Sequence, residues 1–225
     1  MTVEAGTPVL VLHDVGEERG GSDWLVAFEV GGWPGPVLAP DLPGHAGQPA
    51  GVGGAYELAD AAFVSLGILA EAGNAGPPLV VGVGVNGWSA QILALGGRAA
   101  GLVLVDGLNG PWEEPVAAVA AGRQWVRDLA ADPDAMAPAP PGASLDPRLR
   151  HKLRPHGDRV LAERAAVGLT LPVLVVESPR SPLAPAERAG ITDLMPAVSV
   201  VELAEPTPAA VAEATRSWWE AVAPA

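Results

Sequence analysis

Six short apolar runs, spaced along the whole chain, limit what this sequence can fold into. They are 8–13 (PVLVLH), 36–40 (PVLAP), 79–83 (LVVGV), 102–106 (LVLVD), 172–177 (PVLVVE) and 198–203 (VSVVEL). Each is too short for a buried helix and lacks the alternation of a half-exposed strand. They read as strands buried on both faces. Helical spacing fills most intervals: 22–30, opened by Ser22-Asp23 as an N-cap, then 56–72, 86–95, 185–195 and 208–222. Trp218 and Trp219, at the end of the last helix, read as core packing. Alternating strands and helices imply βαβ units, a parallel sheet and right-handed crossovers. Functional groups in such a sheet gather at the carboxyl ends of the strands. Here those ends carry His13-Asp14, Asp41, Val83-Gly84, Asp106-Gly107, 177–181 and the loop after Leu203.

The pattern breaks at 111–169. That stretch holds a helix at 114–131, a Pro-rich break at 133–147 and a helix at 158–167, with no strand signal. It reads as a small helical cap inserted into a core made of 1–110 and 170–225. At 225 residues and 49% hydrophobic content, one domain with a real core is expected. No apolar run is long enough to span a membrane, and no basic segment leads the chain, so the expected location is the cytoplasm. The absence of cysteine excludes disulfides and thiolate metal sites. His151 and His156 are badly spaced to share a helix face, and no metal or cofactor is expected. The net charge of −13 repels phosphate backbones, so nucleic acid is excluded as a partner.

Residues 80–91 (VVGVGVNGWSAQ) carry two readings. Gly82, Gly84 and Gly87 fit G-x-G-x-x-G, the turn that holds a dinucleotide pyrophosphate, and Asp106 follows at close to the spacing of about 20 residues expected for a ribose-binding acid. That reading implies a nucleotide-dependent oxidoreductase. The same residues also fit a strand-turn-helix of the G-x-S-x-G kind, with Gly84 where a serine nucleophile belongs.

Neighbouring motifs favour the second. PVLVLHDVG (8–16) resembles the strand and oxyanion loop L-H-G-φ-G, φ being apolar. VLAPDLPGHAGQP (37–49) resembles A-P-D-L-P-G-H-G-x-S. VVGVGVNGWSAQ resembles V-G-H-S-M-G-G, and GLVLVDG (101–107) matches the strand after it. LPVLVVESPRSPLAP (171–185) resembles I-P-V-L-V-L-x-G-x-x-D-P-L-V-P. In order and spacing these resemble the α/β-hydrolase superfamily over nearly the whole chain, starting at what would be the family's third strand. The resemblance implies an α/β-hydrolase fold, with about six mostly parallel strands flanked by helices.

It also implies which residues stand where catalysis would occur. Gly84 takes the nucleophile position and Ser181 the acid position, with Asp106 as an alternative acid. The base would fall at 204–210, which contains no histidine; the four histidines are His13, His45, His151 and His156. Val15 and Val85 would supply the oxyanion N–H groups, but Asp14 replaces the usual glycine beside them. With all three triad positions vacated, serine-esterase activity is not expected.

Three functional readings follow. The leading one is a pseudo-hydrolase that binds a small apolar or partly anionic molecule between core and cap. Val15, Gly84, Val85, Trp88, Trp112 and Ser181 would line that pocket. The second is lyase, isomerase or cyclase chemistry with Asp14, His13 or Asp106 as acid or base. The third is the oxidoreductase. A basic cluster (Arg148, Arg150, His151, Lys152, Arg154, His156 and Arg159) in the cap, together with the cap itself, leaves open a second copy or a protein partner.

Overall fold

The computed structural model describes residues 6–48, 59–73, 76–108, 112–132, 143–146, 148–149 and 157–223. Six strands form one parallel sheet: β1 (Val9–Leu12), β2 (Val37–Leu38), β3 (Leu79–Val83), β4 (Gly101–Val105), β7 (Val173–Glu177) and β8 (Val198–Glu202). Their order across the sheet is β2-β1-β3-β4-β7-β8, and every pairing is parallel. The chain thus reverses direction between β1 and β3. Open α/β sheets place ligands at such a reversal, beyond the carboxyl ends of the strands. A dinucleotide-binding sheet has a different order, 3-2-1-4-5-6.

Successive residues of each central strand divide between two cores. Leu10, Leu12, Val80, Leu102, Leu104, Val173 and Val175 face a layer built from α2 (Asp60–Glu71), α3 (Gly87–Leu95), α5 (Arg159–Gly168) and α6 (Pro185–Thr192). Val9, Val11, Val81, Val103, Val105, Leu174 and Val176 face α1 (Ser22–Val30) and α7 (Pro208–Val222). Burial on both faces is why these strands read as unbroken apolar runs. Trp219 is buried in the second core, where its ring covers Gly101.

Several details depart from expectation. α1 begins where the sequence places it, but Ser22 is not its cap. The Ser22 hydroxyl donates to the Arg19 carbonyl at 2.8 Å, and Gly21 precedes the helix. A Cβ on Gly21 would lie 1.9 Å from the Ala39 carbonyl oxygen, so the segment just after β2 packs closely on the helix start. Between β4 and β7 the chain does contain strands. β5 (Trp112–Glu113) and β6 (Gly157–Asp158) pair in parallel around α4 (Pro115–Ala131). At two residues each they carry no readable period. Their contact is made by the Trp112 ring lying where a side chain on Gly157 would be. α5, placed in the cap by the sequence, buries Ala162 and Ala166 in the core beside α3. Most of the basic cluster lies outside the described residues; Arg148 pairs with Asp146 and Arg159 with Glu163. No helix among the described residues is long and apolar enough to cross a membrane.

The glycines of VVGVGVNGWSAQ are explained by packing. A Cβ on Gly82 would meet the Cβ of Ala90 at 2.6 Å, and one on Gly87 would meet the Gly107 carbonyl oxygen at 2.1 Å. Both let α3 lie directly on β3 and on the end of β4. Gly87→Ala should therefore cost about 1–3 kcal/mol, as overpacking does. Gly67→Ala, in α2 with open space around it, should instead stabilise by about 0.5–1 kcal/mol. Urea unfolding of both variants checks the pair.

Candidate functional site

A cavity of about 1180 Å³ opens above the carboxyl ends of β1, β3 and β4. Its floor is Asp14, Val83, Gly84, Val85, Val105 and Asp106. Trp24, Trp88 and Trp112 line it, α4 contributes Ala118, Val119 and Gly122, and Leu161 of α5 faces it. The loop before α7 closes another side with Glu205, Pro206, Thr207 and Pro208.

At the centre of the floor, Asp14 occupies two positions at once. Its Oδ1 accepts the N–H of Val15 at 2.8 Å and of Val85 at 3.0 Å. These are the two donors that the resemblance assigns to an oxyanion. Its carboxylate also fills the space above Gly84. A Cβ built there would lie 2.2 Å from Asp14 Cγ, and Gly84 holds a φ of +52°. The carboxylate thus stands where a nucleophile side chain would project and takes the hydrogen bonds its oxyanion would need. Sequence reasoning expected Asp14 to sit beside these donors and oppose the oxyanion's charge; the structure puts it on them. Asp14 Oδ2 has no hydrogen bond among the described residues.

Burial pushes the Asp14 carboxyl above its ordinary value of 3.8. The N–H groups of Val15 and Val85 pull it back, and the charge of Asp106 adds to the rise. The loop that carries Asp14 is itself held by a carboxylate. Glu17 accepts the Asp14 N–H at 3.3 Å and the Trp24 indole N–H at 2.8 Å. Burial raises the Glu17 carboxyl as well, against the pull of the Trp24 bond.

The other candidates separate into cavity and scaffold. Gly84, Val85, Trp88, Trp112, Asp14 and Asp106 line the cavity; Val15, Ser181 and His13 do not. His13 is fully buried. Its Nε2 accepts the Leu42 N–H at 3.2 Å, which leaves the proton on Nδ1 to donate to the Asp14 carbonyl at 2.9 Å. Both ring nitrogens are committed to backbone, so His13 has none to offer a ligand. His45 holds the same loop, accepting the Gly16 N–H at 3.2 Å and packing edge-on against His13. Asp106 adopts φ +46°, and its carboxylate takes the Ser178 N–H at 2.8 Å and the Ser178 hydroxyl at 2.6 Å. Beneath, Glu177 is buried and pairs with Arg188 at 3.3 Å; burial raises its carboxyl. Ser181 belongs to this buried layer and not to the cavity wall. In the loop where the resemblance would put a base, Thr207 Oγ1 caps α7 by accepting the Ala210 N–H at 3.3 Å.

Sequence reasoning missed Glu17, Trp24, Arg180 and Glu205 on the cavity wall. Glu17, Arg180 and Glu205 lie within a few residues of a strand's carboxyl end, and that was the available signal; Trp24 lies inside α1 and carried none. The wall is acidic. Asp14, Glu17, Glu18 and Asp23 come from the loop after β1 and the start of α1; Asp106, Asp158 and Glu205 come from elsewhere. Arg19 and Arg180 are the guanidiniums facing them, and Arg19 is paired with Asp23 at 3.3 Å. This balance runs against a partly anionic ligand. Among the described residues, no group of three His, Asp or Glu side chains could hold a metal ion.

The burial of Asp14 has a measurable sign. A carboxyl whose pKa is raised by folding stabilises the fold most below its unfolded value, and that contribution is lost as pH rises through the folded value. Asp14→Asn keeps the acceptor for Val15 and Val85 but carries no charge. The melting temperature of Asp14→Asn minus that of the native protein should therefore grow as pH is raised from about 3.5 to neutral. A difference that stays flat or shrinks contradicts this account.

No family model matches the chain, and no curated protein matches it in sequence. Solved structures do. A thermophilic esterase from Thermogutta terrifontis is similar at a TM-score of 0.69 and 20% identity, over 97% of this chain and 91% of the esterase. NosK from Streptomyces actuosus is similar at 0.62 and 19%, over 96% of this chain and 98% of NosK. The enol-lactonase from Burkholderia xenovorans LB400 is similar at 0.64 and 16%, over 96% and 89%. Together with the parallel sheet, its strand order and its flanking helices, these likenesses give the chain the α/β-hydrolase fold.

Proposed function

We propose that this protein is a non-hydrolytic member of its fold, binding a small molecule in the cavity above the sheet. One observation carries the reading. The Asp14 carboxylate occupies both the space of a nucleophile side chain and the hydrogen bonds of an oxyanion hole. Ester hydrolysis needs that space for a serine and those donors for the developing negative charge. It also needs a base, and the loop before α7 offers Glu205, Pro206 and Thr207 in its place. The size of the cavity and its three indoles support a ligand with an apolar body.

A second reading keeps the cavity but adds chemistry. Asp14 Oδ2 is unbonded among the described residues, and burial raises the carboxyl, so it is suited to taking a proton from a bound molecule. His13 and Asp106 are tied to neighbours and contribute less to this version. Under it, Asp14→Asn abolishes turnover while ligand binding persists.

A serine-reactive fluorophosphonate should leave the native protein unlabelled. Stoichiometric labelling at one serine, read by mass spectrometry, would overturn the proposal. Gly84→Ser should destabilise by driving Oγ and Cβ into Asp14, and Asp14→Gly should relieve it. The two changes should be less costly together than their sum, by about 1 kcal/mol or more. Neither the single variants nor the pair should hydrolyse p-nitrophenyl acetate, because no histidine among the described residues lines the cavity.

A further inference from the structure

We propose that the cavity takes an organic cation with an apolar or aromatic body, its charge seated against the Asp14 carboxylate at the floor. This rests on the pocket reading above and names the ligand class that the pocket selects.

The floor decides the sign. Two converging backbone N–H groups would make an anion receptor, but Oδ1 of Asp14 has taken both. A molecule reaching the floor therefore meets a carboxylate whose second oxygen is unbonded among the described residues. Burial raises the Asp14 carboxyl, and those N–H groups pull against it toward the ionised form. The walls extend the same field. Seven carboxylates line the cavity against two guanidiniums; setting aside the Arg19–Asp23 pair leaves six against one. The whole chain adds to it with a net charge of −13, which concentrates cations at a cleft of matching sign.

The kind of cation follows from what else lines the space. The described residues bring no three metal-ligating side chains together, so the carboxylates are spread around the wall and do not converge on one ion. Between them stand Trp24, Trp88 and Trp112, with Val83, Val85 and Leu161. Indole faces attract ammonium groups through the ring quadrupole and cover apolar carbon equally well. A bare metal ion gains little from such walls; an aryl- or alkylammonium gains from both features. The volume of about 1180 Å³ admits a drug-sized molecule rather than an ammonium head alone.

The test uses three probes of one shape on the full chain: 2-phenylethylammonium, 2-phenylethanol and phenylacetate, titrated by calorimetry at neutral pH and low salt. The ammonium should bind about tenfold more tightly than the alcohol, as expected for a charge-assisted contact, and phenylacetate should bind most weakly. Asp14→Asn should remove most of the difference between ammonium and alcohol. Asp14→Gly, which frees the N–H groups of Val15 and Val85, should raise phenylacetate relative to the ammonium. Melting curves establish that each variant is folded. If the Asp14 variants fail to fold, Glu205→Gln at the exposed rim should still weaken the ammonium by about twofold, a rim charge being worth little.

Equal binding of alcohol and ammonium overturns the cation proposal and leaves the pocket reading standing. Unchanged ammonium preference in Asp14→Asn overturns the seat at Asp14. Binding of none of the three overturns the proposal as well. The non-hydrolytic reading is judged separately, by the serine labelling.

Discussion

Two hydrogen bonds to one oxygen organise this site. Asp14 Oδ1 joins the N–H of Val15, in the loop after β1, to that of Val85, in the turn after β3. These segments meet at the reversal point of the sheet, where a cleft is left between neighbouring strands. Without an acceptor between them, two inward-pointing amides would lose hydrogen bonds on burial. A hydrolase leaves such amides for its substrate. Here the chain satisfies them itself, and the rest of the floor follows. Gly84 must lack a side chain because the carboxylate lies over it. Glu17 must hold the loop so that the carboxylate reaches. His13 and His45 fix the same loop from below through backbone bonds.

The fold was legible because its four central strands are buried on both faces, although the edge strands β2 and β8 are only half-buried. Residues such as Val9–Leu12 and Val173–Glu177 show no polar alternation, and their spacing leaves room for one crossover helix each. The departures have physical reasons. The two-residue strands β5 and β6 are held by one indole over one glycine, a contact between positions far apart in sequence. At the start of α1, Gly21 packs closely against Ala39, just after β2, and the Ser22 hydroxyl turns to the Arg19 carbonyl instead of capping, a contact that the local sequence does not reveal. The helix α5 reads as part of an insertion by position, yet its alanines are small enough to pack against α3 and close the core.

The site was legible in what it lacks. Gly84, Ser181 and the histidine-free loop before α7 could be read one by one. What Asp14 does at the floor could not. That Asp14 turns back onto Val15 and Val85 depends on a loop conformation that no local pattern encodes. The glycines of 82–87 illustrate the same limit. G-x-G-x-x-G fits a phosphate turn as well as it fits close helix–strand packing, and only the neighbours of each Cα distinguish them. The acid wall was hidden because its members come from separate parts of the chain, each unremarkable alone in an acidic sequence.

Thr207 caps α7 between two prolines, in the loop where a base would have to stand. Triad ester chemistry on this frame would have to replace that loop, clear Asp14 and fill Gly84, and each step taken first is a loss. A histidine alone has no nucleophile to serve and puts the cap of α7 at risk. A serine at 84 alone collides with the carboxylate, and a vacated position 14 leaves two amides bare. Each of these changes is therefore costly until the others accompany it.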